Sequence, residues 1–430
     1  MNAIGILTII FSVLTVLGVV LSLLFNVKIK KLSLYWMISL IGALIVVFIN
    51  FNNIESVLVS LIENTAINPV KILIFFLCMT ILSLILENLN FFSYLASKSS
   101  RLAKNSQYKL FLIFYCIVSV LTVFTSNDIV ILSFVPFICH FCKKANINPA
   151  PYVFSTFVAA NTWSMMLVIG NPTNVYLASF AGIDFITYFL KMALPTVACG
   201  VFSFCLLLLI FNKHLKVKIE YVESEEERID KPMVIFNVII LIICTILLTI
   251  SSYIGLEMWY IALGFAALSL IINLLICVIK KKDSIFIKRS LKKVPWEFVP
   301  FLLSMFLIIM CLDVNGITKI LANLLVSNNE PLVYGLLSFV SSNILNNIPM
   351  TALFSSMLSY GTPNILSVYA AIVGSNLGAI LTPIGALAGI MFINLLREKG
   401  VNFSIKSFIK YGVLISITSL LLMLSLIIFI

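Results

Sequence analysis

The chain has 430 residues, of which 61% are hydrophobic and only 10% are charged, with a net charge of +11. Because soluble domains carry about 25% charged residues, this composition argues against a water-soluble enzyme and predicts a polytopic membrane protein. The two histidines, His140 and His214, and the nine scattered cysteines form neither a His-rich metal centre nor a disulfide pattern, so no metal and no cofactor are expected.

Stretches of about 20 apolar residues are long enough to cross a bilayer as a helix. In chain order, eight such spans are predicted at 3–25, 34–51, 70–86, 192–211, 234–252, 258–279, 298–312 and 412–430. Four further regions are apolar but interrupted by polar residues, Pro or Gly, at 109–142, 151–183, 331–358 and 364–396. The predicted fold class is an all-α polytopic membrane protein, whose first span is a retained helix rather than a signal peptide.

The positions of the basic residues orient these spans, because Lys and Arg concentrate on the cytoplasmic side of membrane proteins. We take the first and third interrupted regions as hairpins that enter and leave on one side, and the second and fourth as complete crossings. With both termini outside the plasma membrane, all of the 28 basic residues except Lys71, Lys191 and Lys319 then lie on the cytoplasmic side. The positive charge is thus explained by topology within the lipid bilayer, and no nucleic-acid partner is expected.

A Glu-rich cytoplasmic linker, 213–232, divides the chain into two halves with the same order of segments. Residues 1–212 and 233–430 each contain three spans, one hairpin, one interrupted helix and a final span. Because the first half begins outside and the second begins inside, we predict that they are inverted repeats. Such repeats, with broken helices at corresponding positions, are typical of secondary transporters and favour alternating access over a channel.

The four interrupted regions combine helix breakers with amide and hydroxyl side chains. Irregular backbone at membrane depth is tolerated only where it is buried in protein or lines a cavity, so these positions predict a binding site. Free N–H groups at a half-helix start suit an anion or an oxygen-rich solute, and free carbonyls at a half-helix end suit a cation. The candidate substrate and ion ligands are Ser126, Asn127, Asp128, Asn161, Thr162, Gly170, Asn171, Thr173, Asn174, Ser342, Asn343, Asn346, Asn347, Ser375, Asn376 and Thr382. The predicted helix breaks are Pro172, Pro349, Gly378 and Pro383.

Asp128 is the only acidic residue at these interruptions. A carboxylate at the bilayer centre costs about 3 kcal/mol on insertion scales, so its presence indicates proton carriage or cation ligation. The structural alternative is that Asp128 caps the second arm of the first hairpin by accepting backbone N–H bonds. The two roles are compatible, and the sequence leaves both open. An intramembrane aspartyl protease is disfavoured, because Asp313 lies near a membrane edge.

At these residues the chain resembles the ion-transporter superfamily, and within it the ArsB-type arsenite/antimonite efflux permeases. The strongest likeness lies in residues 374–410, which begin GSNLGAILTPIGALAG. Residues 342–351 (SNILNNIPMT) are similar to the family's second hairpin, and residues 126–136 (SNDIVILSFVP) are similar to its first. The segment 170–174 (GNPTN) departs from the pattern and is closer to dicarboxylate and other anion permeases.

The resemblance implies a scaffold domain made by the early spans of each half, and a mobile transport domain made of hairpins and broken helices. It also implies proton-coupled efflux of arsenite or antimonite, with Asp128 as the coupling residue. Arsenite is a neutral trihydroxide near neutral pH, and neutral amides and hydroxyls suit it. The alternatives are a sodium-coupled carboxylate or inorganic-anion permease and a sodium/proton antiporter of the same fold.

The chain is not expected to be an enzyme. It contains no Gly-x-x-x-x-Gly-Lys-Ser/Thr motif, so it cannot hydrolyse ATP itself. A partner ATPase and a homodimer are left open by the sequence.

Overall fold

The computed structural model describes residues 3–25, 27–29, 32–62, 68–103, 106–217, 229–251, 253–281, 283–325, 329–360 and 364–429. Lys30 and Lys31 lie outside the described residues, as does 218–228, the Glu-rich part of the predicted linker. The described residues are predominantly helical, with one short hairpin of β1 (Lys28–Ile29) and β2 (Leu32–Ser33) between the first two helices.

Ten α-helices are described in the first half of the chain. They are α1 (Ala3–Leu24), α2 (Tyr35–Ile49), α3 (Ile54–Ile62), α4 (Pro69–Asn88), α5 (Phe91–Ala103), α6 (Gln107–Phe124), α7 (Asn127–Lys144), α8 (Ala150–Trp163), α9 (Pro172–Phe180) and α10 (Phe185–Leu215). Helices α6 and α7 are the arms of the first predicted hairpin, and α8 and α9 are the two parts of the first interrupted helix.

Ten more α-helices are described in the second half. They are α11 (Lys231–Thr249), α12 (Met258–Ile279), α13 (Ile285–Lys293), α14 (Phe298–Val314), α15 (Ile317–Leu325), α16 (Glu330–Leu345), α17 (Asn347–Leu358), α18 (Ile365–Leu381), α19 (Leu387–Glu398) and α20 (Ile405–Phe429). Helices α16 and α17 fall within the second predicted hairpin, and α18 and α19 fall within the second predicted interrupted helix.

Among the described residues, eight helices are long and apolar enough to cross a membrane, or nine if the bent pair of α2 and α3 is one span. Their outer faces carry large apolar side chains: Phe48 is 78% exposed, Leu209 is 73% exposed and Ile279 is 77% exposed. Such a surface is stable in lipid, where no water is present to penalise it. The predicted class, an all-helical polytopic membrane protein, is confirmed.

The second predicted span, 34–51, ends in a sharp bend of 82° between α2 and α3. Asn50 lies at the bend, and its Nδ2 donates to Thr8 Oγ1 and to Val46 O, both at 2.8 Å. The side chain is thereby satisfied although it is buried. Helix α3 connects the second span to the third, and α13 occupies the corresponding place in the second half.

Helix packing follows an exchange of partners between the two halves. Helix α4 packs against α12, and its counterpart α14 packs against α2. In the same way α7 packs against α19, and α17 packs against α9. Such an exchange is what two related halves would produce, and the boundaries 1–212 and 233–430 stay a prediction. The inverted orientation of the halves stays a prediction.

Two of the four predicted helix breaks are wrong. Pro349 lies in the first turn of α17, where a missing N–H removes no helical hydrogen bond, and the chain turns instead at Asn346, whose φ is 73°. Gly378 lies inside the continuous helix α18. Pro172 begins α9 and Pro383 lies between α18 and α19, as predicted.

Candidate functional site

The turn of the first hairpin consists of two extended residues between α6 and α7. Thr125 follows α6, and Ser126 precedes α7 as its N-cap, with φ −70° and ψ 135°. The first N–H groups of α7 therefore have no intrahelical acceptor. Asn127 Nδ2 donates to Asn161 Oδ1 at 3.2 Å, so the turn is tied to α8 just before that helix ends.

The first interrupted helix is held open by two amides. Asn171 is the N-cap of α9, and its Oδ1 accepts from the backbone N–H of Thr173 at 3.2 Å. Asn174 Nδ2 donates to the carbonyl of Ser164 at 2.8 Å, which fixes the loop between α8 and α9. Pro172 occupies the first helical position, where its missing N–H has no cost. The break is thus built from local hydrogen bonds that a continuous helix could not make.

Both interrupted helices use a glycine where the chain folds closely onto itself. A Cβ on Gly170 would lie 2.3 Å from the carbonyl oxygen of Ser164. In the second half, a Cβ on Gly389 would lie 2.4 Å from the carbonyl oxygen of Pro383. Real Cβ atoms do not approach an oxygen so closely, so each break requires a residue without a side chain.

Asn376 of α18 joins the two halves at the centre of the protein. Its Oδ1 accepts from Asn171 Nδ2 at 2.9 Å and from Ser164 Oγ at 3.1 Å. Its Nδ2 donates to Asn174 Oδ1 at 2.8 Å. All four side chains are at most 1% exposed. We call these residues the Asn376 network. Sequence reasoning missed Ser164, whose place in an apolar loop gave no distinguishing signal.

A second group forms where the second hairpin meets the second break. Asn343 Nδ2 donates to the carbonyl of Gly378 at 3.0 Å, and Thr382 Oγ1 donates to Asn343 Oδ1 at 2.6 Å. Asn346 Nδ2 donates to the carbonyl of Ile384 at 3.4 Å. The turn of the hairpin is therefore attached to the loop between α18 and α19.

Gly378 serves the close packing of α16 against α18, which explains why it does not break its helix. A Cβ on Gly378 would lie 2.1 Å from Ser342 Oγ, and one on Gly374 would lie 1.8 Å from Ser338 Oγ. Small residues four apart let the backbones of two membrane helices approach closely. The Gly and Ser residues at 374, 378, 338 and 342 are thus an interface that fixes Asn376 in position.

Several predicted ligands present polar atoms that have no partner among the described residues. Buried polar groups are nearly always hydrogen-bonded, so such atoms indicate places where a solute, ion or water completes the site. Asn347 is also buried, and its side chain makes no hydrogen bond to the described residues. The unpaired buried atoms at predicted positions are Ser126 Oγ, Asn127 Oδ1, Thr162 Oγ1, Thr173 Oγ1, Asn346 Oδ1 and Ser375 Oγ.

Asp128 is the second residue of α7 and is half-buried. Its carboxylate accepts no hydrogen bond from the described residues, so the hypothesis that it caps α7 is wrong. A buried or half-buried carboxylate that has no partner among the described residues is an open position in the candidate site.

A cavity of about 500 Å³ is lined by residues of α7 and α19, of the junction of α1 with α2, and of the segment between α13 and α14. We call it the Glu297 cavity, after the residue that precedes α14. Its lining includes Leu132, which is one helical turn from Asp128 on the same side of α7. Pro136 has no N–H to donate to the Leu132 carbonyl, so that carbonyl lacks its usual helical partner.

A second cavity, of about 290 Å³, lies between α4, the junction of α9 with α10, and the junction of α11 with α12. We call it the Lys71 cavity. Lys71 Nζ is 2.5 Å from Glu257 Oε2, and Trp259 Nε1 donates to the same oxygen at 3.0 Å. Two of the linings correspond between the halves: α9 and the α11–α12 junction line the Lys71 cavity, and their counterparts, α19 and the α1–α2 junction, line the Glu297 cavity. Sequence reasoning missed both cavities, because residues far apart in the chain build them.

The comparisons with known sequences give the family. A family profile described as citrate transporter, CitMHS, matches residues 20–363. The putative arsenical pump membrane protein of Bacillus subtilis is 25% identical over 371 residues, covering 78% of this chain and 82% of that protein. The arsenical pump membrane protein of Escherichia coli K12 is 25% identical over 358 residues, covering 80% of this chain and 82% of that protein. The predicted resemblance to arsenical pump permeases is confirmed.

The comparison with solved structures gives the fold. The YdaH transporter of Alcanivorax borkumensis, whose crystal structure revealed an unusual topology, aligns with a TM-score of 0.56 at 14% sequence identity. The alignment covers 99% of this chain and 98% of that chain, so the two share a fold over their whole length. Because the citrate transporter profile spans most of the sequence, the chain belongs to the citrate transporter family and is a multi-pass membrane transporter.

Proposed function

We propose that this transporter is secondary active and exports arsenite or antimonite in exchange for protons across the plasma membrane. The Asn376 network carries the proposal, because its three amides and one hydroxyl are at most 1% exposed and, among the described residues, hydrogen-bond to no basic side chain. A neutral trihydroxide needs donors and acceptors rather than an opposite charge. The names of the arsenical pump relatives support the same class of solute.

Asp128 is the proposed coupling residue. Its carboxylate, which accepts no hydrogen bond from the described residues, lies just after the turn between α6 and α7, next to Asn127 and to Ser126, whose Oγ is also unpaired among them. Ionisable residues inside membranes are rare because they are costly, and they commonly carry protons or ions. We propose that the Glu297 cavity opens to the cytoplasm and that protons reach Asp128 from it by passing Leu132. The Lys71 cavity is proposed to open to the outside.

The proposed motion follows from the proposed inverted repeats, 1–212 and 233–430. The hairpins and broken helices would move as one body, and the early spans of each half would form the scaffold. Both termini would lie outside, with the linker 213–232 in the cytoplasm. The mirrored packing of α4 on α12 and of α14 on α2 supports a scaffold built from both halves. Neither a partner ATPase nor a homodimer is required by this scheme, and either could be added to it.

A second candidate function is sodium-coupled transport of a carboxylate or an inorganic anion. It is favoured by the citrate transporter description of the family and by the GNPTN sequence at 170–174. The first N–H groups of α7, which have no intrahelical acceptor and no side-chain cap, would bind an anion, as helix N-termini do. A sodium/proton antiporter of the same fold is the third candidate, in which Asp128 alone would bind the transported cations.

The experiment that separates these candidates is solute uptake into everted membrane vesicles. Arsenite accumulation that needs a proton gradient, is abolished by an uncoupler and does not require sodium would support the first proposal. Accumulation of citrate, succinate or sulfate that requires sodium, without arsenite uptake, would overturn it in favour of the second. Sodium-dependent proton movement without either class of solute would support the antiporter.

A further inference from the structure

Helix α13 (Ile285–Lys293) has one face against the protein and one basic face turned away from it. Phe286 and Ser290 are buried, whereas Lys288, Arg289 and Lys292 are exposed. Among the described residues, these three exposed side chains make no hydrogen bond and no ion pair. Lys288 and Lys292 are four residues apart, so they are neighbours on one side of the helix and repel each other.

The buried face of α13 is attached to the end of α4. Ser290 Oγ donates to the carbonyl of Leu84 at 3.1 Å and accepts from Asn88 Nδ2 at 3.1 Å. Lys293 Nζ lies 3.0 Å from Glu87 Oε1, so the charge of this lysine is already paired. These contacts fix the rotation of α13, and with it the direction of its basic face.

An open groove of about 750 Å³ lies between α12 and α13. Lys288 and Lys292 line it, together with apolar side chains that include Leu274 of α12. Leu274 lies five residues before the end of α12, which is about 7–8 Å inside the helix end and thus at the depth of lipid chains. Trp296 lies at the edge of the groove, where its Nε1 donates to the carbonyl of Leu291 at 2.8 Å.

We propose that this groove binds an anionic phospholipid of the cytoplasmic leaflet. The lipid phosphate would lie between Lys288 and Lys292 and relieve their repulsion, and an acyl chain would lie along Leu274. Charge complementarity favours this occupant over a zwitterionic lipid, since basic pockets beside cytoplasmic helix ends bind anionic headgroups. The apolar wall distinguishes it from a free anion, which would gain nothing from Leu274. Trp296 sits where amphipathic rings are found in membranes, at the level of the headgroups.

The bound lipid would also stabilise a wall of the transport pathway. Lys292 and Trp296 line the Glu297 cavity as well as the groove. A lipid that holds them in place keeps the start of α14 and the mouth of that cavity in one conformation. This consequence rests on the proposed function of the cavity, but lipid binding itself does not.

The test is thermal unfolding and native mass spectrometry of the whole purified chain with defined lipids. Phosphatidylglycerol is expected to raise the unfolding temperature and to remain bound, whereas phosphatidylcholine is not. The variant Lys288→Gln/Lys292→Gln is expected to lose at least about tenfold in affinity for phosphatidylglycerol, because two charge contacts are removed. The variant Lys288→Arg/Lys292→Arg, which keeps both charges, is expected to retain binding.

A matched control is Lys406→Gln/Lys410→Gln on α20, an exposed pair with the same spacing at a predicted cytoplasmic helix end. It is expected to bind phosphatidylglycerol as the unchanged chain does. If both double Gln variants lost the same affinity for phosphatidylglycerol, lipid binding would depend only on the net charge of the protein, and the proposal would be wrong. The proposal would also be wrong if phosphatidylcholine, or inorganic phosphate without lipid, raised the unfolding temperature as much as phosphatidylglycerol does.

Discussion

Asn376 on α18 donates from Nδ2 to Oδ1 of Asn174 on α9 at 2.8 Å, across a separation of 202 residues in the chain. Both side chains are fully buried. Asn376 also accepts from Asn171 and Ser164, so one amide connects the first break to the helix that leads into the second. Because buried hydrogen bonds of this kind are costly to leave unmade, α9 and α18 should move together in a transport cycle.

Replacing Asn376 with Ala is expected to lower the rate of arsenite uptake at limiting arsenite at least about tenfold. The change leaves the amides of Asn171 and Asn174 without their shared partner, and each unpaired buried group costs about 1–3 kcal/mol. Uptake into everted vesicles at equal protein levels measures the effect. The matched control is Asn273→Ala, since Asn273 is also fully buried and pairs with Asn237 in α11, away from both breaks. Equal losses in both variants would mean that the Asn376 network is only structural.

Replacing Asp128 with Asn is expected to remove the dependence of transport on the proton gradient while leaving arsenite binding largely intact. Asn has nearly the same shape but cannot take up and release a proton near neutral pH. Arsenite exchange measured with and without an imposed pH gradient checks this expectation. Unchanged pH dependence in the Asn variant would remove Asp128 from the coupling mechanism.

Asp184 offers the control for that experiment. The Thr187 hydroxyl, and then the N–H groups of Thr187 and Ile186, donate to the Asp184 carboxylate and hold its pKa below the usual value. A carboxyl group whose pKa is lower in the folded than in the unfolded state stabilises the fold at any pH above the pKa of the unfolded state. This stabilisation is lost only as the pH falls through the pKa of the folded state. Asp184 therefore stays ionised near neutral pH, and Asp184→Asn is expected to keep the pH dependence of transport unchanged.

Replacing Gly378 with Ala is expected to lower the unfolding temperature of the purified protein. The new Cβ would lie 2.1 Å from Ser342 Oγ and 2.7 Å from the carbonyl of Phe339, so α16 and α18 must separate, at a cost of about 1–3 kcal/mol. Gly264→Ala in α12 is the matched control, because a Cβ there meets no atom within 4 Å. The control should be neutral or slightly stabilising, since Ala favours helix over Gly by about 1 kcal/mol. A Gly378→Ala protein as stable as the control would contradict the described packing.

Replacing Leu132 with Trp is expected to abolish transport without reducing expression. The indole would fill the end of the Glu297 cavity nearest Asp128, whereas the backbone of α7 would be unchanged. Val120→Trp on α6 is the control, because Val120 is 60% exposed on the outer surface and tolerates a larger side chain. Normal transport by the Leu132 variant would show that the cavity is not part of the pathway.

The three amides of the central network could be predicted from the sequence for a physical reason. Asn171 and Asn174 flank a proline, and Asn376 lies between two glycines, all within apolar segments. An amide in such a segment must find a polar partner or line a cavity, so clusters of this kind indicate a shared site. The contact of Asn376 with Asn171 and Asn174 could be predicted only by assuming, in addition, that the two halves of the chain are repeats whose interruptions lie together.

Other features depended on contacts that local patterns do not encode. Pro349 was predicted to break a helix, but a proline in the first turn continues the helix from its own position onward. Gly378 was predicted to break α18, but it serves contact with Ser342 on another helix. The ion pair of Lys71 with Glu257 joins residues 186 positions apart, and only the folded chain brings them together.

The central claim is that the Asn376 network binds the transported solute, and binding to the purified protein tests it most directly. The unfolding temperature should rise with arsenite for the unchanged chain and for Asn273→Ala, because a ligand that binds only the folded state stabilises it. The Asn376→Ala protein should show no such rise at the same arsenite concentrations. An arsenite-dependent rise of equal size in the Asn376→Ala protein would contradict the account, because the solute would then bind elsewhere.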